Sequence, residues 1–88
     1  MPTISMFYGI IVRMYFAPRE HPPPHIHAYY GEHKCVIDIR TTEVTEGVLP
    51  VKQRRLLEAW TQLHQDELLA NWQLVMNGER PFTIKPLE

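Results

Sequence analysis

His25-Ile26-His27-Ala28-Tyr29-Tyr30-Gly31-Glu32-His33-Lys34-Cys35-Val36-Ile37-Asp38 reads as two strands joined by a two-residue turn. Glycine at the first turn position suits a tight hairpin, because it adopts positive φ without steric cost. With Gly31-Glu32 as the turn, Tyr30 faces His33, Ala28 faces Cys35 and Ile26 faces Ile37, so the apolar pairs fall on one side. The other side pairs Tyr29 with Lys34, His27 with Val36 and His25 with Asp38. A slip of one residue would turn every side chain over, so this coincidence selects the register. It also sets a carboxylate across from an imidazole, an arrangement that orients a histidine and fixes its tautomer.

Upstream, His21-Pro22-Pro23-Pro24 leads into the hairpin, and three of the five histidines of the chain fall between positions 21 and 27. A proline run has fixed φ and no backbone donors, so it presents its neighbours from a pre-ordered extended segment. His25 and His27 at i, i+2 on a strand share a face, with Cα atoms roughly 6.6 Å apart. Before the linking Ala17-Pro18-Arg19-Glu20, residues 7–16 read as a first strand with Tyr8, Ile10, Val12, Met14 and Phe16 on the core side. Phe7 and Ile11 then begin the opposite side, ahead of Arg13 and Tyr15. That pattern predicts an exposed apolar surface favouring association with a second copy or a partner, unless the N-terminal arm or the Phe82-Thr83-Ile84 tail folds over it.

Downstream, Thr41-Thr42 turns the chain, and residues 43–49 form a weaker fourth strand in which Glu46 and Gly47 are unusual. Pro50 suits the first turn of a helix. Leu56, Trp60 and Leu63 share one helical stripe with Leu57 beside it, and Leu68, Leu69, Trp72, Val75 and Met76 share another. On one continuous helix the stripes would be out of phase by roughly 130°, so the helix should break near His64-Gln65, with Asp66 as a new N-cap. Asn77-Gly78 ends the second helix, and residues 79–88 are extended. The expectation is an α+β single domain over residues 1–88, with a three- or four-stranded antiparallel sheet packed on one face by two C-terminal helices.

Eighty-eight residues with 44% apolar composition can build one modest core. Nine basic against ten acidic residues give a net charge of −1, so only a local patch could draw nucleic acid or an anionic membrane. Cys35 is a single cysteine and can form neither an internal disulfide nor a Cys-rich zinc site. No apolar run reaches spanning length, and Met1-Pro2-Thr3 does not open a secretory signal. A reducing, cytoplasmic setting is expected.

The chemistry concentrates on the face that carries His25 and His27. A metal-independent ribonuclease needs a base, an acid and a cation for the developing phosphate charge. His25 and His27 supply the first two, Arg13 or Arg40 the clamp, Asp38 a partner for the imidazoles, and Tyr15, Tyr29 or Tyr30 a surface for a base. This reading needs no cofactor. The competing reading is a divalent transition metal such as zinc held by His25 and His27 with His21 or Asp38. The bland alternative is a rigid strand entry whose imidazoles bond to backbone or to Asp38. Lys52, Arg54 and Arg55 read as a solvated first helical turn, Cys35 as a small buried hydrophobe, and the two tryptophans as core anchors.

Pro2-Thr3-Ile4-Ser5, Phe7, Gly9-Ile10, Met14-Tyr15, Pro23-Pro24-His25-Ile26-His27-Ala28, Tyr30-Gly31, Gly47, Leu49-Pro50, Trp60, Glu67-Leu68 and Asn71-Trp72 together resemble a family of small prokaryotic proteins catalogued as a domain of unknown function. The family signature reads E-H-x-P-P-H-F-H-A-x-Y-G. Glu20 and His21 match it, one proline is extra, and Ile26 stands where Phe is usual. The resemblance implies a toxin-antitoxin type of module with a small cognate antitoxin-like partner, and it transfers no catalytic residue. Combined with the histidine face, it makes a toxin-like protein acting on RNA the leading expectation. A non-catalytic metal-binding or protein-interaction module is the alternative.

Overall fold

Tyr8 and Gly9 both adopt positive φ, 49° and 80°, the combination that a type I′ hairpin turn demands. Thr3–Phe7 (β1) therefore pairs antiparallel with Ile10–Arg13 (β2). The structure is a computed structural model that describes residues 2–16 and 21–88. It continues through His25–Tyr30 (β3), His33–Asp38 (β4) and Val44–Val48 (β5), and all five strands form one antiparallel sheet in chain order. Two helices follow, Val51–Leu63 (α1) and Gln65–Met76 (α2). The linker 17–20, including Glu20 of the signature, and Met1 lie outside the described residues.

The α+β class and the two C-terminal helices are as expected, and the number of strands is corrected from three or four to five. The predicted strand over 7–16 is in fact the end of one strand, a turn and a second strand. A two-residue turn makes positions 7 and 10 partners on one face, so the even-numbered pattern cannot be carried back to Tyr8. Tyr8 is exposed at the turn, whereas Phe7 is buried with its ring 5.2 Å from that of Trp60. Phe7 thus belongs to the core, and Met6, 62% exposed, stands on the outer side opposite Ile11.

The β3–β4 hairpin has the predicted register throughout, from His25 opposite Asp38 to Tyr30 opposite His33. Ile26, Ala28, Cys35 and Ile37 are buried. β5 is a full strand in spite of its glycine, and the glycine is the reason it can approach. A Cβ at Gly47, where φ is 74°, would collide with the Lys34 carbonyl oxygen, so a side chain there would push β5 off β4.

Both helices contribute to one core with the inner side of the sheet. Leu57 and Trp60 of α1, and Leu68, Trp72 and Val75 of α2, join Ile10, Val12, Ile26 and Ile37 there. Each fully buried aliphatic side chain contributes about 1.5–3 kcal/mol. The helix break falls at His64 as expected, but His64, not Asp66, is the N-cap of α2, and its Nδ1 lies 2.5 Å from Glu67 Oε1. Asp66 and Glu67 instead occupy the first turn, where negative charge suits the helix dipole. The stripe of α1 is also rotated from the expected one. Thr61 is buried, its hydroxyl satisfied by donating to the Leu57 carbonyl, and Leu63 is left 70% exposed.

The extended tail closes the outer edge of β1. The Ile84 N–H donates to the Ile4 carbonyl, the Trp60 indole N–H donates to Lys85 O, and the Asn71 amide both donates to and accepts from the Phe82 backbone. No helix of the described residues is long and apolar enough to cross a membrane.

Candidate functional site

The sheet has one face against the helices and one face without them, and strand alternation sorts the residues between the two. Arg13 of β2 is opposite His27 of β3, and Ile11 opposite Tyr29. The odd-numbered positions of these strands are thereby gathered on the outer face. Tyr15, just beyond β2, extends the same set, and its hydroxyl hydrogen-bonds to that of Tyr29.

The side chains interlock. The Tyr15 and His27 rings meet edge to face with centres 4.6 Å apart, and the His25 and His27 rings lie 5.4 Å apart. The Arg13 guanidinium carbon sits 5.3 Å from the centre of the Tyr29 ring, within range for a cation–π contact. The Nε of Arg13 is buried, with no hydrogen-bond partner among the described residues.

The proline run positions His25. Its Nδ1 is 2.8 Å from the Pro23 carbonyl oxygen, which can only accept, so Nδ1 carries the proton of the neutral ring and Nε2 is the basic nitrogen. The Ile39 N–H donates to the Pro24 carbonyl, fastening the same segment to the end of β4. At its other side the His25 ring lies 5.1 Å from that of Trp72 on α2. Trp72 reads from sequence as a core anchor alone; its second role depends on how α2 crosses the end of the sheet, which no periodicity reveals.

Of the sequence candidates, Arg13, Tyr15, His25, His27 and Tyr29 are brought together. Asp38 is opposite His25 in register, but its Oδ1 accepts from the backbone N–H groups of Arg40 and Thr41. Its carboxylate therefore organises the turn after β4, as Asp commonly does. Arg40 stands in that turn, exposed, with its carbonyl accepting from Gln65. His21 is exposed at the start of the proline segment. Among the described residues no three His, Cys, Asp or Glu side chains converge as a group able to hold a metal, so the donor set of the metal reading is not assembled.

Cys35 faces the core, and burial, with a lesser contribution from the charge of Glu58, pushes its thiol up to about 11. This is the environment of an inert thiol and not of a nucleophile. A separate groove between β1 and the tail, of about 370 Å³, is mostly apolar and is formed without the histidines.

No curated protein and no solved structure matches the chain. A family model does: residues 9–73 match a domain of unknown function, DUF4160. The match runs from the first hairpin turn through most of α2 and so contains the whole cluster of Arg13, Tyr15, His25, His27, Tyr29 and Trp72. Because it spans most of the sequence, the chain belongs to the DUF4160 family.

Proposed function

We propose that the protein is the toxin-like member of a two-protein module and acts on RNA through the outer face of its sheet. The observation that carries this reading is the contact cluster of Arg13, Tyr15, His25, His27 and Tyr29 on the outer side of the sheet, with His25 at its end beside Trp72 of α2. It joins two imidazoles, a guanidinium and aromatic rings.

The cluster has the parts for transesterification of a phosphodiester. His25, with Nε2 basic, takes the proton of the 2′-hydroxyl; the 2′ oxygen attacks phosphorus, and the bond to the 5′ oxygen breaks. His27 in its protonated form donates to that leaving oxygen, and the products are a 2′,3′-cyclic phosphate end and a 5′-hydroxyl end. Arg13 meets the charge developing on the phosphate oxygens. No metal takes part in this scheme. The resemblance to toxin-antitoxin modules adds a small cognate partner, which neutralises the protein by covering the same face.

Expression without the partner should slow growth, and total RNA from those cells should carry new cyclic-phosphate ends. His25→Ala and His27→Ala should each relieve the arrest and remove the ends, with circular dichroism unchanged. Equal toxicity of the wild type and a folded double variant would remove the histidines from the mechanism.

A further inference from the structure

We infer that the RNA taken by this face is single-stranded and lies across the strands, its bases stacked along the row Met6, Ile11, Tyr29, Lys34 and Val48. The inference rests on the RNA reading above and adds the form of the substrate. The row follows from register alone: Met6 is opposite Ile11, Ile11 opposite Tyr29, Tyr29 opposite Lys34, and Lys34 opposite Val48. Met6 and Val48 at its ends are 62% and 65% exposed, and Ile11 and Tyr29 between them are half-buried.

Such a row suits bases and not a duplex. Double-stranded RNA shows a protein mainly phosphates and 2′-hydroxyls, and its binding depends on many cations. Here the face offers Arg13 and Lys34, while Lys52, Arg54 and Arg55 lie on α1. Apolar and aromatic side chains gain nothing from a phosphate surface but gain from the faces of splayed bases. The guanidinium over Tyr29 extends that surface, since an arginine plane also takes a base. Five strands about 4.8 Å apart give a platform about 19 Å wide, room for two or three bases.

The neighbouring row sets where the backbone runs. Arg13 is opposite His27, His27 opposite Val36, and Val36 opposite Glu46, two residues along the strands and about 6.8 Å from the first row. A base on Tyr29 thus places its phosphate over Arg13 and His27. Glu46 repels phosphate at the β5 end, so the scissile linkage belongs over β2 and β3.

Fluorescence anisotropy with a labelled, unstructured oligoribonucleotide and a hairpin duplex of the same composition tests this. The single strand should bind at least about tenfold more tightly than the duplex. Tyr29→Leu should weaken binding about tenfold, Tyr29→Phe should retain it, Lys34→Glu should weaken it, and Arg55→Glu on α1 should leave it unchanged. Circular dichroism confirms that each variant is folded. A duplex bound as tightly as the strand, or a Tyr29→Leu variant that binds the strand like wild type, overturns the inference and leaves RNA as the substrate class. Failure to bind either RNA overturns the RNA reading itself.

Discussion

The two faces of the sheet are built from the same strands and obey opposite rules. On the inner face, Val12, Ala28 and Cys35 follow one another across β2, β3 and β4 and are buried with Trp60, Leu57 and Leu68. On the outer face, the positions one residue away carry Arg13, His27, Tyr29 and Lys34. The inner set is what any sheet of this size needs to hold two helices. Lys34 is what a solvent-facing strand ordinarily carries, whereas Arg13, His27 and Tyr29 form a contact cluster. On the proposed reading, the contrast separates residues that make the fold from residues that it holds out to meet RNA.

The largest effect should come from the inner side. Trp60 is fully buried, touches the Phe7 ring and bonds to the tail, so Trp60→Ala should cost about 3–5 kcal/mol in urea unfolding. A loss below about 1 kcal/mol would mean that the inner face is not the core. Asn71→Ala removes both bonds to the Phe82 backbone and should cost about 1–3 kcal/mol, with the tail becoming sensitive to carboxypeptidase. Gly47→Ala combines positive φ with the collision against Lys34. It should cost at least about 1–2 kcal/mol and speed hydrogen exchange in β5.

Cys35 sharpens the comparison through pH. Its folded-state value is raised from 9.0 to about 11, so the folded chain holds this proton more tightly than the unfolded chain. The resulting stability is fully present below pH 9 and is lost as pH rises toward 11. Unfolding midpoints measured across that interval should fall, and Cys35→Ala should flatten the fall. Folded protein at pH 8 should resist a thiol reagent that modifies it in urea.

The smallest stability effects belong to the outer face. Met6→Ser and Val48→Thr should each change stability by no more than about 0.5 kcal/mol. A loss of several kcal/mol in either would show that the outer face is itself covered.

Most of this contrast can be read from the sequence where alternation is undisturbed. The β3–β4 register, the burial of Ile26 and Ile37, and the helix break at His64 follow from local pattern and turn chemistry. The first hairpin does not, because Tyr8 is a non-glycine residue at positive φ and gives no turn signal, and an uninterrupted strand over 7–16 sets Phe7 on the wrong face. Gly47 reads as a strand breaker until its close approach to Lys34 is known. The candidate site is half legible. Parity gathers Arg13, Tyr15, His25, His27 and Tyr29, but Asp38 bonding to its own turn, and Trp72 beside His25, depend on tertiary geometry that parity does not contain.

The central claim is that the outer face, and not the helices, meets RNA. Titration of the isotope-labelled His27→Ala variant with an unstructured oligoribonucleotide, followed by amide chemical shifts, tests it while limiting cleavage. Saturable shifts are expected at Ile11, Arg13, Tyr29, Lys34 and Val36, with Leu57, Trp60 and Leu68 unmoved. Shifts confined to α1 and α2, or none at a ligand excess, would contradict it.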